Sequence, residues 1–571
     1  MNDQTDSSRR ANVDPYEHAR TAASGDGRGR FPKKMFIFTG VVLLLIILAS
    51  TFISEVEDVL GIGLDIVNVI SILCAAITLV LWVGWFLIFS RWRWWKRLLT
   101  SALVASLPFL FVFIFGPVLG GDLTIQRWEP IWTSRLEPLP DSVSRKPVTV
   151  DLSTETSDDF SMFLGENRDG TITTDFQFER DRFSSATQMW KHGIGSGWSG
   201  FVARNGYAVT MEQRDDQECI TCYRIETGQL QWLYRHTARH HDVMNLGHVG
   251  PRATPAIFDG RVYAVGAVGN CVCLNGADGS VVWQADLNEI LGVELASGTD
   301  EDGLGFQYEK NTPLAWGRSG SPLIMGDLVI VPGGGPAGSV STLLAFDRLT
   351  GEIRWRGGRE MIAYGSPVLA TVAGRPQILL TAESKVMGFE PDTGETLWSF
   401  SRPGESNGGA NTSQVSVVSE SHVLTSNGYP DGGGELIALN NADGEIVATS
   451  IWRNTRVLKT KLTSPVLLDG HSYSLSNGFL ECARLADGER IWKQRGRFGH
   501  GQLLLVNDQI LLHSESGTLY LINATPNGYE ELGSFSTVNG ICWNTLCLYG
   551  NRILIRSEIE AACFELPTSD R

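Results

Sequence analysis

An eleven-residue frame repeats along this chain from residue 222 onward and limits what it can fold into. At residues 345–355 it reads A-F-D-R-L-T-G-E-I-R-W. It recurs at 222–232, 273–283, 388–398 and 482–492, and in degraded form at 438–448 and around Leu521. Each intact copy holds a short run, a turn segment closed by Gly and a second short run ending in an indole, the pattern of a hairpin. The turn glycines Gly228, Gly279, Gly351, Gly394, Gly444 and Gly488, with Gly528 looser, are spaced 40 to 72 residues apart. Between frames stand further turn pairs such as Asp259-Gly260 and Asp469-Gly470, so each unit contains four strands. Units of roughly 40 to 50 residues with four strands are propeller blades rather than solenoid repeats.

Blade number follows from the openings of the units. Ser199-Gly200, Thr254-Pro255, Ser321-Pro322, Ser366-Pro367, Ser413-Gln414, Ser464-Pro465, Gly501-Gln502 and Asn544 each begin one, which makes eight. The eighth supplies only three strands, and its Ala562-Cys563-Phe564-Glu565 aligns with Leu344-Ala345-Phe346-Asp347. Upstream of the first unit, Trp190 precedes Ser199 by the interval that separates Trp492 from Gly501. The expectation is an all-β, eight-bladed propeller of four-stranded antiparallel blades, closed by pairing of N- and C-terminal strands, so that the ring has no open edge.

Three uncharged segments, 35–53, 66–90 and 98–119, precede the repeats. Each is long enough to cross the roughly 30 Å hydrocarbon core. Lys33 and Lys34 precede the first, acidic residues follow it, and R-W-R-W-W-K-R (residues 91–97) separates the second from the third. The positive-inside rule then places the N-terminus in the cytoplasm and the propeller outside, on the periplasmic or outer side of a bacterial inner membrane. The expected organisation is a disordered tail over 1–34, a three-helix anchor over 35–120, a Pro-containing linker over 121–160 and the propeller over 161–567. Residues 121–571 carry 36 Lys+Arg against 54 Asp+Glu. That acidity excludes a nucleic-acid partner, whose phosphates need the opposite sign.

Within the frame, a small slot holds Cys222, Cys273, Ala345, Gly388, Ala438, Cys482 and Cys563. Cysteine there reads as a small buried hydrophobe beneath the indole of a neighbouring strand. Cys219 and Cys222 would point to opposite faces of a strand, and a bridge between Cys542 and Cys547 is left open by their spacing.

The frame A-x-D-x-x-T-G-x-x-x-W resembles the tryptophan-docking motif of PQQ-type quinoprotein propellers. The stretch F-L-G-E-N-R-D-G (residues 163–170) is similar to the opening of many PQQ-like repeat proteins. The resemblance covers residues 160 to 566 and implies two classes of activity. One is a non-catalytic binding or assembly scaffold, like the BamB-like lipoproteins of outer-membrane barrel assembly. The other is a PQQ-dependent membrane dehydrogenase that oxidises a sugar or alcohol and reduces the quinone pool. Adjacent cysteines that stack on the cofactor and a C-x-x-C-H haem site are both missing from the sequence. The scaffold is therefore the leading expectation, with a protein or peptide partner, no required cofactor, and PQQ with calcium as the alternative.

A site should lie where the last strand of one blade crosses to the first of the next, because those loops ring one channel mouth. His240, His241, Arg252, Arg318, Tyr364, Asn411, Lys461, His500 and Trp543 fall there. Cations, amides and an aromatic in such a ring could hold an acidic quinone. They are equally the solvated or mutually paired side chains that any mouth carries. No catalytic residue and no metal-ligand set is read from them. The insertion at 286–316, with Asp300 to Gly303, matches only a fragment of a calcium loop.

Overall fold

The computed structural model describes residues 32–60, 63–133, 149–242, 246–299, 303–429 and 431–570. Most of the expected N-terminal tail, the middle of the expected linker and the acidic tip of the 286–316 insertion lie outside these. The chain forms two compact units, Met1–Pro117 with Trp128–Ile131, and Val118–Arg127 with Trp132–Arg571.

The first unit contains three helices long and apolar enough to cross a membrane, Lys33–Thr51, Leu64–Phe89 and Trp94–Ile114. The third stops at Ile114, five residues short of the expected end at Leu119, and Phe115–Leu119 is a strand. Gly116-Pro117 explains the change, since proline removes a helical donor and disfavours the α conformation in the residue before it.

The second unit is an eight-bladed propeller. Blade 1 spans residues 202–237, blade 2 256–286, blade 3 323–357, blade 4 368–401, blade 5 416–454, blade 6 466–497 and blade 7 502–536. Each has four antiparallel strands in sequence order, and blade 7 gains a short parallel strand, Thr171–Ile172, on its inner edge. Blade 8 takes Cys547–Tyr549, Arg552–Arg556 and Glu560–Glu565 from the C-terminal region and its fourth strand, Thr187–Gly193, from upstream of blade 1. Cys563 stands opposite Trp190, as Cys222 does Trp232, Cys273 Trp283, Ala345 Trp355, Gly388 Trp398 and Cys482 Trp492. The ring closes as the alignment of the two chain regions requires.

The paired indoles join the blades. The Nε1 of Trp190 donates to Ile225 O at 2.7 Å, that of Trp232 to Gly276 O at 2.9 Å, and that of Trp283 to Arg348 O at 3.0 Å, each carbonyl belonging to the next blade. The turn glycine of that next blade covers the ring. A Cβ at Gly228 would come within 2.6 Å of Trp190, and one at Gly279 or Gly351 within 2.7 Å of its indole. These glycines also have φ of 68° to 75°, a region costly for other residues. Blade 5 departs from the frame. Its outer hairpin is longer, so Trp452 rather than Ala448 makes the joint, donating to Leu485 O at 2.8 Å with Leu436 opposite. Blade 7 has Gly533 opposite Leu521 and no indole.

The residues that open the blades form an inner belt. Gly200 N donates to Thr254 Oγ1 (3.0 Å), Thr254 N to Ser321 Oγ (2.9 Å), Ser321 N to Ser366 Oγ (3.0 Å) and Gln414 N to Ser464 Oγ (3.2 Å). Asn544 Nδ2 returns to Ser199 O at 2.9 Å. In blades 1, 2, 3 and 5 the belt thereby satisfies an inner N–H that has no strand partner. Arg168, from the F-L-G-E-N-R-D-G stretch, adds a cross-tie. Its guanidinium donates to Pro367 O, Pro322 O and Ser321 O at 3.0, 2.8 and 3.0 Å. Burial pushes its pKa down to about 9. All nine cysteines are unbridged, and the eight in the propeller unit are buried.

Candidate functional site

In an antiparallel blade the connection to the next blade and the turn between strands two and three lie at the same end. Those segments build one mouth of the channel, and residues 118–127 of the same compact unit enter it. They form the tip between two paired strands, Phe115–Leu119 and Ile125–Pro130. Gly120 N bonds to Thr124 O at 2.8 Å to close the turn. Asp122 and Leu123 both have left-handed backbone, with φ of 54° and 57°. Two successive non-glycine residues in that region cost on the order of 1–2 kcal/mol each, so the surroundings must hold the turn.

What holds it is a ring of charge. The Asp122 carboxylate accepts from Lys461 Nζ at 2.5 Å, from His500 Nε2 at 2.8 Å, and from Arg497. Burial by itself would raise the Asp122 pKa. The charges of His500, Lys461 and Arg497, with the His500 hydrogen bond, outweigh it and hold the carboxyl well below the usual carboxylate range. Glu515, in the turn of blade 7, accepts from Gly121 N at 2.5 Å and from Trp543 Nε1 at 2.7 Å. A Cβ at position 121 would overlap the His500 ring and the Glu515 carboxylate, so this approach requires glycine.

The flanks of the tip are held too. His248 Nε2 donates to Leu119 O at 3.1 Å, and Arg127 pairs with Glu558 at 3.0 Å. Val118 is buried against Trp198 and Ile541, with Trp543 beside them. The rings of Trp198 and Trp543 lie 4.5 Å apart, and His248 stands 6.2 Å from Trp543.

Of the nine residues expected at the rim, Lys461, His500 and Trp543 converge on this tip. Arg252 lies nearby, donating to Gly250 O, Gly247 O and His248 O. The others serve the walls. Arg318 pairs with Glu309 at 2.8 Å and donates to Gly333 O. Tyr364 donates its hydroxyl to Ser406 O and accepts from Trp316 N at 3.2 Å. Asn411 is fully buried, donating to Glu383 O and Arg402 O and accepting from Asn427 at 2.7 Å. His240 is buried beside Gly317, and burial holds its pKa well below that of an ordinary histidine. The His241 ring lies 5.2 Å from Phe306 of the insertion. Sequence reasoning did not find Asp122, Gly121, Arg497, Glu515 or Trp198. The signal for the first two was present as Gly120-Gly121-Asp122 beyond the third apolar segment, outside every repeat.

The docked indoles, the belt of blade-opening hydroxyls and the ring closed through Trp190 define an eight-bladed β-propeller whose inter-blade docking is similar to that of PQQ-like repeats. A family model described as outer membrane protein assembly factor BamB matches residues 216–494. The outer membrane protein assembly factor BamB of Bordetella pertussis is 25% identical over 198 residues, covering 33% of this chain and 47% of that protein. The chain thus spans about half the length of that relative. Among solved structures, BamB from Moraxella catarrhalis is 13% identical with a TM-score of 0.44, covering 66% of this chain and 99% of that one. A europium-containing methanol dehydrogenase is 10% identical with a TM-score of 0.52, covering 74% and 99%. That likeness is one of fold.

The residues at the mouth do not fit PQQ. Lys461, Arg497 and His500 are already engaged by Asp122, Gly121 is packed against His500 and Glu515, and Trp198 and His248 flank Trp543. Among the described residues, no group of three or more His, Cys, Asp or Glu side chains is placed to hold a metal ion.

Proposed function

We propose that this protein is a membrane-anchored propeller that acts as a non-catalytic binding or assembly scaffold, with the propeller on the periplasmic or outer side of a bacterial inner membrane and the N-terminus in the cytoplasm. The observation that carries the reading is the mouth itself. Where a cofactor-dependent propeller would need free cations and space above an aromatic, this chain places its own residues 118–127. The positive charge there is neutralised within the fold rather than held for a quinone. The resemblance to BamB, whose name describes outer-membrane protein assembly, supports a role in bringing proteins together. Lys33 and Lys34 before the first apolar helix and the basic 91–97 link support the orientation.

The test uses the full chain in nanodiscs. Titration with PQQ and calcium is expected to give no bound-quinone absorbance and no dye reduction with alcohols or aldoses. A photo-crosslinker at Val447 or Ile451, both 51% exposed on the outermost strand of blade 5, is expected to give a discrete adduct in cells. Micromolar quinone binding with dye reduction would overturn the scaffold reading.

A further inference from the structure

We infer that the mouth is a receptor for an acidic peptide turn, with residues 118–127 as its resident ligand, and that an Asp-bearing segment of a partner protein binds there by displacing them. The inference rests on the scaffold reading and identifies which face of the scaffold does the binding and what it recognises.

The contacts point to a peptide rather than a free acid. Lys461, Arg497 and His500 together bind one carboxylate, that of Asp122. Around it the mouth reads main chain: Glu515 takes the Gly121 N–H and His248 gives to the Leu119 carbonyl. An apolar seat of Trp198 and Ile541 takes the Val118 side chain. Arg127 reaches an acid on the opposite side, Glu558. A small carboxylate would use the cations and leave the donor for the carbonyl, the acceptor for the N–H and the apolar seat unused. A peptide that carries a small residue, then Asp, and an apolar residue three or four positions earlier would use all of them.

The pocket walls come from the propeller and the occupant from a separate stretch outside the repeats. Charge-assisted bonds to a shared carboxylate are strong individually. An intramolecular occupant also competes at a high effective concentration. External peptide should therefore bind the native chain weakly and bind tightly only once the resident turn has lost its acid.

The probe is a fluorescein-labelled peptide of sequence GPVLGGDLTIQR, residues 116–127, titrated by anisotropy into the full chain in nanodiscs. The Asp122→Asn chain should bind it at least about ten-fold more tightly than the native chain. Adding Arg497→Met to Asp122→Asn should abolish that gain, as should a probe with Asn in place of its Asp. Lys461→Met serves as a second cation variant, and circular dichroism establishes that each propeller is folded. No gain on Asp122→Asn in a folded protein would overturn the inference. So would binding that survives both cation variants, or competition by succinate at the same concentrations as unlabelled peptide, which would make this a small-acid site. If quinone binds the same preparation, the scaffold reading fails first; if neither quinone nor peptide binds, that reading stands and the peptide receptor falls.

Discussion

Trp190 stands opposite Cys563 in a sheet whose strands come from both sides of the repeat array, and its indole donates to Ile225 O of blade 1 at 2.7 Å. One side chain thus covers the small-residue slot of the closing blade and fastens that blade to the first. The residue is buried, with a relative exposure of 8%. Trp190→Ala should cost about 3–5 kcal/mol, measured as a lower urea midpoint for the propeller transition. An unchanged midpoint would mean that the ring is held elsewhere.

Turn glycines divide into two kinds. Gly228 has φ 68° and lies over the Trp190 ring, whereas Gly470 has φ 76° and nothing near its missing Cβ. Gly470→Ala should cost about 1 kcal/mol of backbone strain. Gly228→Ala adds a clash with an indole that cannot retreat, and should cost about 2–4 kcal/mol. Thermal melts of the two variants side by side test the difference.

Arg168 ties three carbonyls of blades 3 and 4 with one guanidinium, all of its partners being main-chain oxygens. Replacing it with Met leaves those buried acceptors unmet, at about 3 kcal/mol or more. Arg168→Lys should recover less than half of the loss, because an ammonium cannot reproduce the fork. Chemical denaturation of both variants measures this.

Glu218 predicts a pH dependence. Burial pushes its carboxyl from 4.5 up to about 7, against the weaker opposing effects of the Ala267 N–H and Arg252. Its folded pKa is the higher one, so the folded state keeps a proton that the unfolded chain releases. The stabilisation present below about pH 4.5 is therefore lost as pH rises through about 7, an effect of about 3 kcal/mol. Glu218→Gln should remove that slope between pH 5 and 8 in urea titrations, and a slope that persists would assign it to another group.

The fold was legible because one packing solution is written repeatedly. The small slot, the turn glycine and the indole recur in register, and aligning Cys563 and Trp190 with the internal copies shows how the ring closes. The frame failed where hairpin length varied: at blade 5 it placed Ala448 where Trp452 belongs, since strand register rather than sequence interval sets the partner. The mouth was harder to read. Lys461, His500 and Trp543 lie at positions that ring topology brings to the mouth, so they could be found. Arg318, Tyr364 and Asn411 lie at equivalent positions but are used inside the walls, and only packing distinguishes the two uses. Asp122 belongs to no repeat, and nothing in its spacing relates it to Lys461 or Arg497, more than 300 residues away.

The fourth strand of blade 8, Thr187–Gly193, pairs with Glu560–Glu565. A strand made early must therefore wait for one made late. At about 5–20 residues per second, the roughly 370 intervening residues take on the order of 20–70 seconds to synthesise. Throughout that interval the growing array has an unpaired edge at each end, and the Trp190 strand has no sheet to join. Maturation of this protein is thus gated by a single late event of high contact order. The period before closure is when holdase chaperones or a misplaced neighbouring strand would have access to it.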